Sequence, residues 1–222
     1  MTKKRELLLG FAAIIFGMFL TFSLLSSLTK KDSGYWTYFY MFTQQSNILC
    51  AIWMILFGIG CYLKEGSKLK KFTQNKLLII ALTVYISITF FIVALVLSPI
   101  YNGSFDPFSS TPEFMHHNAT PIVMWFFFFL IPGVGRVNIK TSPLILIYPL
   151  CYVIMNLIVG ANTTFPSGEK AYAYGFINPN SYPNIFIYVL VLVGLIIIFG
   201  GFSIGLTAFK NYINKHYHEI QE

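Results

Sequence analysis

Of the 222 residues, 56% are hydrophobic and only 10% charged, against roughly 25% charged in an average soluble domain, which argues against a water-soluble core. The formal charge of +7 requires no nucleic-acid partner, because orientation in a bilayer and contact with anionic lipid account for it. Cys50, Cys61 and Cys151 are odd in number and all lie in apolar stretches, so no disulfide framework is expected.

Uncharged stretches run from Leu7 to Thr29, Ser33 to Leu63, Leu77 to Phe105, Phe114 to Gly135, Thr141 to Gly168 and Ala171 to Phe209. A hydrocarbon core about 30 Å thick takes about 20 helical residues to cross, so each stretch holds one helix plus interfacial sequence. The stretches are solidly apolar rather than alternating, which selects helices over barrel strands. The expected fold is an all-α integral membrane protein, a bundle of six transmembrane helices in a single domain over residues 1–222. In chain order the spacing predicts helices over 6–28, 43–63, 77–98, 114–133, 142–160 and 184–209. The first follows Lys3, Lys4 and Arg5, but it is longer than a signal-peptide core and no A-x-A pattern follows, so it is read as a permanent helix.

Cationic residues set the expected orientation. Alternate connections hold Lys3, Lys4 and Arg5; Lys64, Lys68, Lys70, Lys71 and Lys76; Arg136 and Lys140; Lys210 and Lys215. The remaining ones hold only Lys30, Lys31 and Lys170. That imbalance places both the N-terminus and the C-terminus in the cytoplasm. The excess of lysine over arginine points to an AT-rich genome and hence to a bacterial plasma membrane.

The connection from Lys30 to Phe42 is rich in aromatics that serve as interfacial anchors or as a lid over an outward-facing site. Gly201 and Gly205 form a GxxxG pair in the last helix, read as a close helix contact. No internal repeat is visible, and the carboxylates, lysines and arginines fall outside the predicted hydrocarbon spans, which weighs against an ion-coupled transporter. Paired carboxylates, metal-ligand clusters and phosphate-binding glycine loops are missing from the sequence, so neither a metal nor another cofactor is expected.

The remaining polarity gathers at two outward-facing helix starts. In the second helix Thr43, Ser46, Asn47 and Cys50 have the 0, 3, 4, 7 spacing of one helical face, which should turn to the bundle interior because an unpaired polar group in hydrocarbon costs a few kcal/mol. The fourth helix opens with His116 and His117, and Pro121 makes a weak point in its hydrogen-bond ladder. A threonine hydroxyl and an imidazole at one depth can act as nucleophile and base, since histidine accepts a proton near neutral pH. An N-cap and an interfacial hydrogen-bonder are the plainer roles for the same residues. Asn156, Asn162, Tyr182 and Asn184 face the same side and could donate to an oxyanion or cap loops.

Tyr38-Phe-Tyr-Met-Phe-Thr43-Gln-Gln-Ser-Asn47, His116-His117-Asn-Ala-Thr-Pro121, Tyr148-Pro149-Leu-Cys-Tyr152 and Tyr182-Pro183 resemble, in order and spacing, the androgen-induced-gene family of six-span membrane proteins and its bacterial relatives. The resemblance implies hydrolysis of fatty-acid esters of hydroxy fatty acids, with Thr43 as nucleophile and His117 or His116 as base, His117 being favoured. Ser46-Asn47 follows the bacterial pattern rather than that of the animal hydrolases, which leaves the substrate open. The expected partners are membrane lipids and a lipid ester or other amphipathic small molecule. Passing the acyl group to a lipid acceptor would make an acyltransferase. The competing expectations are a transporter or binding protein whose polar pocket does no chemistry, and a scaffold for other membrane proteins.

Overall fold

The computed structural model describes residues 2–28, 35–97, 108–135, 137–165 and 167–219. Lys30, Lys31, Arg136, the predicted helix end at Ser98 and the beginning of the first aromatic connection lie outside the described residues.

Among the described residues the chain is helical, with isolated β-bridges only. Helix α1 spans Lys3–Leu28, α2 is the single turn-and-a-half Tyr35–Tyr40, α3 spans Phe42–Tyr62, α4 is Lys68–Thr73, and α5 is Lys76–Ile92 continued by a π turn, Val93–Leu97. Helix α6 is a broken path: Thr111–Phe114, a π turn Met115–Ala119, then Thr120–Leu130. Helix α7 begins as the 3-10 segment Ile139–Leu146 and continues as Ile147–Asn162, and α8 is Ile185–Glu219.

Among the described residues five helices are long and apolar enough to cross a membrane: Lys3–Leu28, Phe42–Tyr62, Lys76–Leu97, Ile139–Asn162 and Ile185–Lys215. Six such spans are expected from the sequence. The missing one is α6, whose longest continuous α segment has 11 residues. Its break follows from Pro121, which has no amide to donate to the turn before it. The ladder shifts register instead: the Thr120 amide bonds back five residues to the Met115 carbonyl, and the Thr120 hydroxyl donates to the same oxygen at 2.8 Å.

Helix α3 is the centre of the bundle, and α1 lies against it at backbone distance. A Cβ placed on Gly10 would come within 2.6 Å of Cys61 Cβ, and one on Gly58 within 2.4 Å of Ile14 Cγ1 and 2.6 Å of the Gly10 carbonyl oxygen. Small residues at such a seam let dispersion and backbone contact hold two helices where lipid offers no hydrophobic drive. The GxxxG pair behaves differently: a Cβ on Gly201 or Gly205 meets nothing within 4 Å, so the predicted close contact is made by α1 and α3 instead. The first half of α8 presents Ile185, Phe186, Leu190, Ile197 and Ile198 outward, a face suited to lipid.

The two ends of the bundle differ. One carries the starts of α3 and α6 and the connection between α7 and α8. The other carries α4 and most of the lysines, several of them turned inward. Lys70 pairs with Glu6 at 2.7 Å and with Glu65, Lys3 Nζ donates to the Cys61 carbonyl at 2.9 Å, and Lys76 Nζ donates to Asn211 Oδ1 at 3.2 Å. Lys210 is fully buried and donates to the carbonyls of Phe128 and Ile131, which cap the last turn of α6. Helix α8 runs on through Lys210 to Glu219 instead of ending at Phe209.

Candidate functional site

Thr43 stands in the first turn of α3, with Ser46, Asn47 and Cys50 behind it on the same face, and all four are buried. Ser46 Oγ donates to the Thr43 carbonyl at 3.0 Å and lies 2.9 Å from Thr89 Oγ1 of α5. Asn47 Nδ2 donates to the carbonyls of Thr43, at 2.8 Å, and His116, at 3.0 Å, so one amide ties the start of α3 to the π turn of α6.

The two imidazoles of that turn are engaged elsewhere than on Thr43. His116 Nε2 lies 3.2 Å from Ser23 Oγ of α1, and His117 Nε2 lies 3.0 Å from Glu113 Oε2, one helical turn earlier. Glu113 at four residues before His117 is a spacing the sequence displays, and it gives the imidazole an orienting carboxylate. Ser23 has no such signal.

Thr43 Oγ1 instead lies 3.2 Å from the phenol of Tyr174, whose oxygen also accepts from the Thr43 amide at 3.3 Å. The neighbouring Phe42 amide donates to Tyr152 OH at 3.1 Å. Tyr152 belongs to α7, and Tyr174 to the connection between α7 and α8. That connection is fastened down by tyrosines: Tyr40 OH donates to the Ala171 carbonyl at 2.9 Å, and Tyr188 OH to that of Ile177 at 3.0 Å. The ring of Tyr174 is partly exposed while its hydroxyl end is enclosed, and burial pushes the phenol above its usual range despite the hydrogen bonds from Thr43.

Thr43, Thr89, Tyr152 and Tyr174 share the wall of a cavity of about 120 Å³. The rest of its lining is apolar: the end of α5 from Ile88 to Leu97, the middle of α7 from Leu146 to Val153, and α8 from Leu192 to Phe199, roughly 10 Å of helix. Neither histidine is part of that wall.

The other anticipated residues take structural posts. Asn156 is fully buried and its Oδ1 accepts from the Ala173 amide at 2.8 Å, pinning the connection that carries Tyr174. Asn162 bonds within its own helix, to the Ile158 carbonyl. Tyr182 OH donates to the Phe176 carbonyl at 3.0 Å, and Asn184 Oδ1 accepts from the Ile187 amide at 3.0 Å as a cap of α8; neither lines the cavity.

No protein-family model, no curated protein and no solved structure matches the chain.

Proposed function

We propose that the chain is a multi-pass membrane protein that hydrolyses lipid esters, or transfers their acyl groups, with Thr43 as nucleophile. The observation that carries this is that Thr43 lines an almost wholly apolar cavity, whose walls from α5, α7 and α8 suit an acyl chain. The reading adopts the resemblance to the androgen-induced-gene family and its six-span topology. In it α6 is the sixth crossing, the lysine-rich end faces the cytoplasm of a bacterial cell, and the Thr43 end faces outward.

The acyl tail lies between α5, α7 and α8, and the ester carbonyl reaches Thr43. Oγ1 forms a bond to the carbonyl carbon as its proton passes through water to His117, which does not touch Thr43 and whose imidazole Glu113 orients. The carbonyl electron pair moves onto oxygen. Collapse breaks the bond to the alcohol, which leaves with the proton from His117 and leaves a threonyl ester. Water, giving its proton to the same base, cleaves that ester and restores Thr43. A lipid hydroxyl in place of water makes the reaction a transfer.

A second reading has its own support: the partner of Thr43 Oγ1 is a phenol rather than an imidazole, which suits a cavity that binds a lipid and leaves it unchanged. Labelling the purified protein with a fluorophosphonate or lactone probe, then mapping the adduct, separates the two. Modification of Thr43 supports the hydrolase. Full turnover of a long-chain ester by Thr43→Ala would return the cavity to a binding role.

A further inference from the structure

Tyr174 and Tyr152 line one cavity and come from different elements, yet their phenol oxygens meet consecutive amides at the start of α3. Tyr152 accepts from the Phe42 amide and Tyr174 from the Thr43 amide. A phenol has one proton to give and a small capacity to accept. With an amide proton already on each oxygen, the phenols also interact with each other, and Tyr152 with the Asn156 side chain. The Tyr174 hydroxyl also lies 3.2 Å from Thr43 Oγ1, the atom that carries the proposed chemistry. The amides also polarise the phenols, since they belong to the positive end of a 21-residue helix.

From this geometry we propose that Tyr174 and Tyr152 form an oxyanion-binding pair that takes the carbonyl oxygen of an acyl group, or one carboxylate oxygen of the free fatty acid, beside Thr43. The proposal rests on the acyl-cavity reading above and deepens it. When Thr43 attacks, the carbonyl electron pair settles on an oxygen that accepts from both phenols, and neither phenol gives up its proton. Because burial holds Tyr174 above the usual phenol range, the group stays a donor at physiological pH. The pair also explains why the connection after α7 is tied down at Ala171 and Ile177: a donor helps only if it is already in place when charge develops.

The test uses the full chain in lipid nanodiscs, with turnover of 4-nitrophenyl octanoate and binding of ¹³C-carboxyl octanoate followed by NMR. Tyr174→Phe should lower kcat by about 100-fold with KM changed less than about threefold, the usual cost of one oxyanion donor, and Tyr152→Phe should act in the same direction. In a Thr43→Ala background, where no acyl-enzyme forms, octanoate should bind at least tenfold more weakly once either phenol is removed, and its carboxyl resonance should shift. If both phenylalanine variants keep wild-type kcat and octanoate affinity while Thr43→Ala is inactive, the oxyanion pair is wrong and the hydrolase reading stands. If Thr43→Ala retains turnover, that reading fails, and octanoate affinity alone decides the pair. Should Tyr174→Phe fail to fold, Tyr152→Phe settles the question, since it leaves the Tyr174 contact with Thr43 intact.

Discussion

Ser23 Oγ lies 3.2 Å from His116 Nε2 across the gap between α1 and α6, and both side chains are buried. The imidazole of the residue whose carbonyl Asn47 holds therefore has a hydroxyl partner other than Thr43. The contact distinguishes the two histidines: His116 is held to α1, while His117 carries the carboxylate of Glu113. Ser23→Ala should leave ester turnover within about threefold of wild type while lowering the melting temperature, as loss of one buried hydrogen bond costs about 1 kcal/mol. Loss of turnover in Ser23→Ala, with Thr43→Ala active, would make Ser23 the nucleophile.

Thr43→Ala and His117→Ala should each abolish turnover, and the double variant should be little worse than either, because nucleophile and base act as one unit. Thr43→Ser keeps the hydroxyl and should retain part of the rate. Steady-state kinetics on the four proteins checks this, and additive losses would speak against a shared step.

The seam between α1 and α3 has no room for a methyl group. Gly58→Ala should destabilise by about 1–3 kcal/mol or more, since one of the atoms it meets is the Gly10 backbone oxygen, which cannot rotate away. Gly201→Ala and Gly205→Ala meet nothing and should leave thermal stability in detergent unchanged.

The Lys70 amine is held above its ordinary value of 10.5: burial pushes it down, but hydrogen bonds and charge from Glu6 and Glu65 more than offset that. A folded value above the unfolded one means the ion pair contributes fully below pH 10.5 and fades as pH rises through the folded value. Melting temperature should therefore hold from pH 7 to about 10 and fall above that. Lys70→Met, which leaves Glu6 buried without its closest partner, should cost about 3 kcal/mol at pH 7 and flatten the alkaline fall.

Topology can be read with cysteines placed on exposed loops, because Cys61 is buried against Gly10 and offers no thiol to a reagent. In a background without native cysteines, Lys64→Cys should react with a membrane-impermeant maleimide only in inverted vesicles, and Ser167→Cys only in intact cells. The reverse pattern would invert the proposed orientation.

The long helices were legible because apolar length is a strong signal, and the inward face of α3 because a 3, 4, 7 spacing carries through to burial. Pro121 pointed to a weak turn, though not to the π register that Thr120 stabilises. Tyr174 was beyond sequence reasoning: it sits in a connection without periodicity, and only the folding back of that connection brings it to Thr43. The depth of Lys210 was hidden for the opposite reason. Hydropathy ends a span at its first charged residue type, whereas the Lys210 amine finds the carbonyls of another helix.

That last contact has a consequence for how the protein is made. Helix α6 emerges from the ribosome well before α8, yet the acceptors at its closing turn, Phe128 and Ile131, receive their protons from Lys210. Until the last helix arrives, a segment already weakened at Pro121 is open at its other end as well. Helix α6 is thus completed only near the close of synthesis, and a nascent chain stalled before Lys210 should hold it in a form that proteases and quality-control factors can distinguish from the finished bundle.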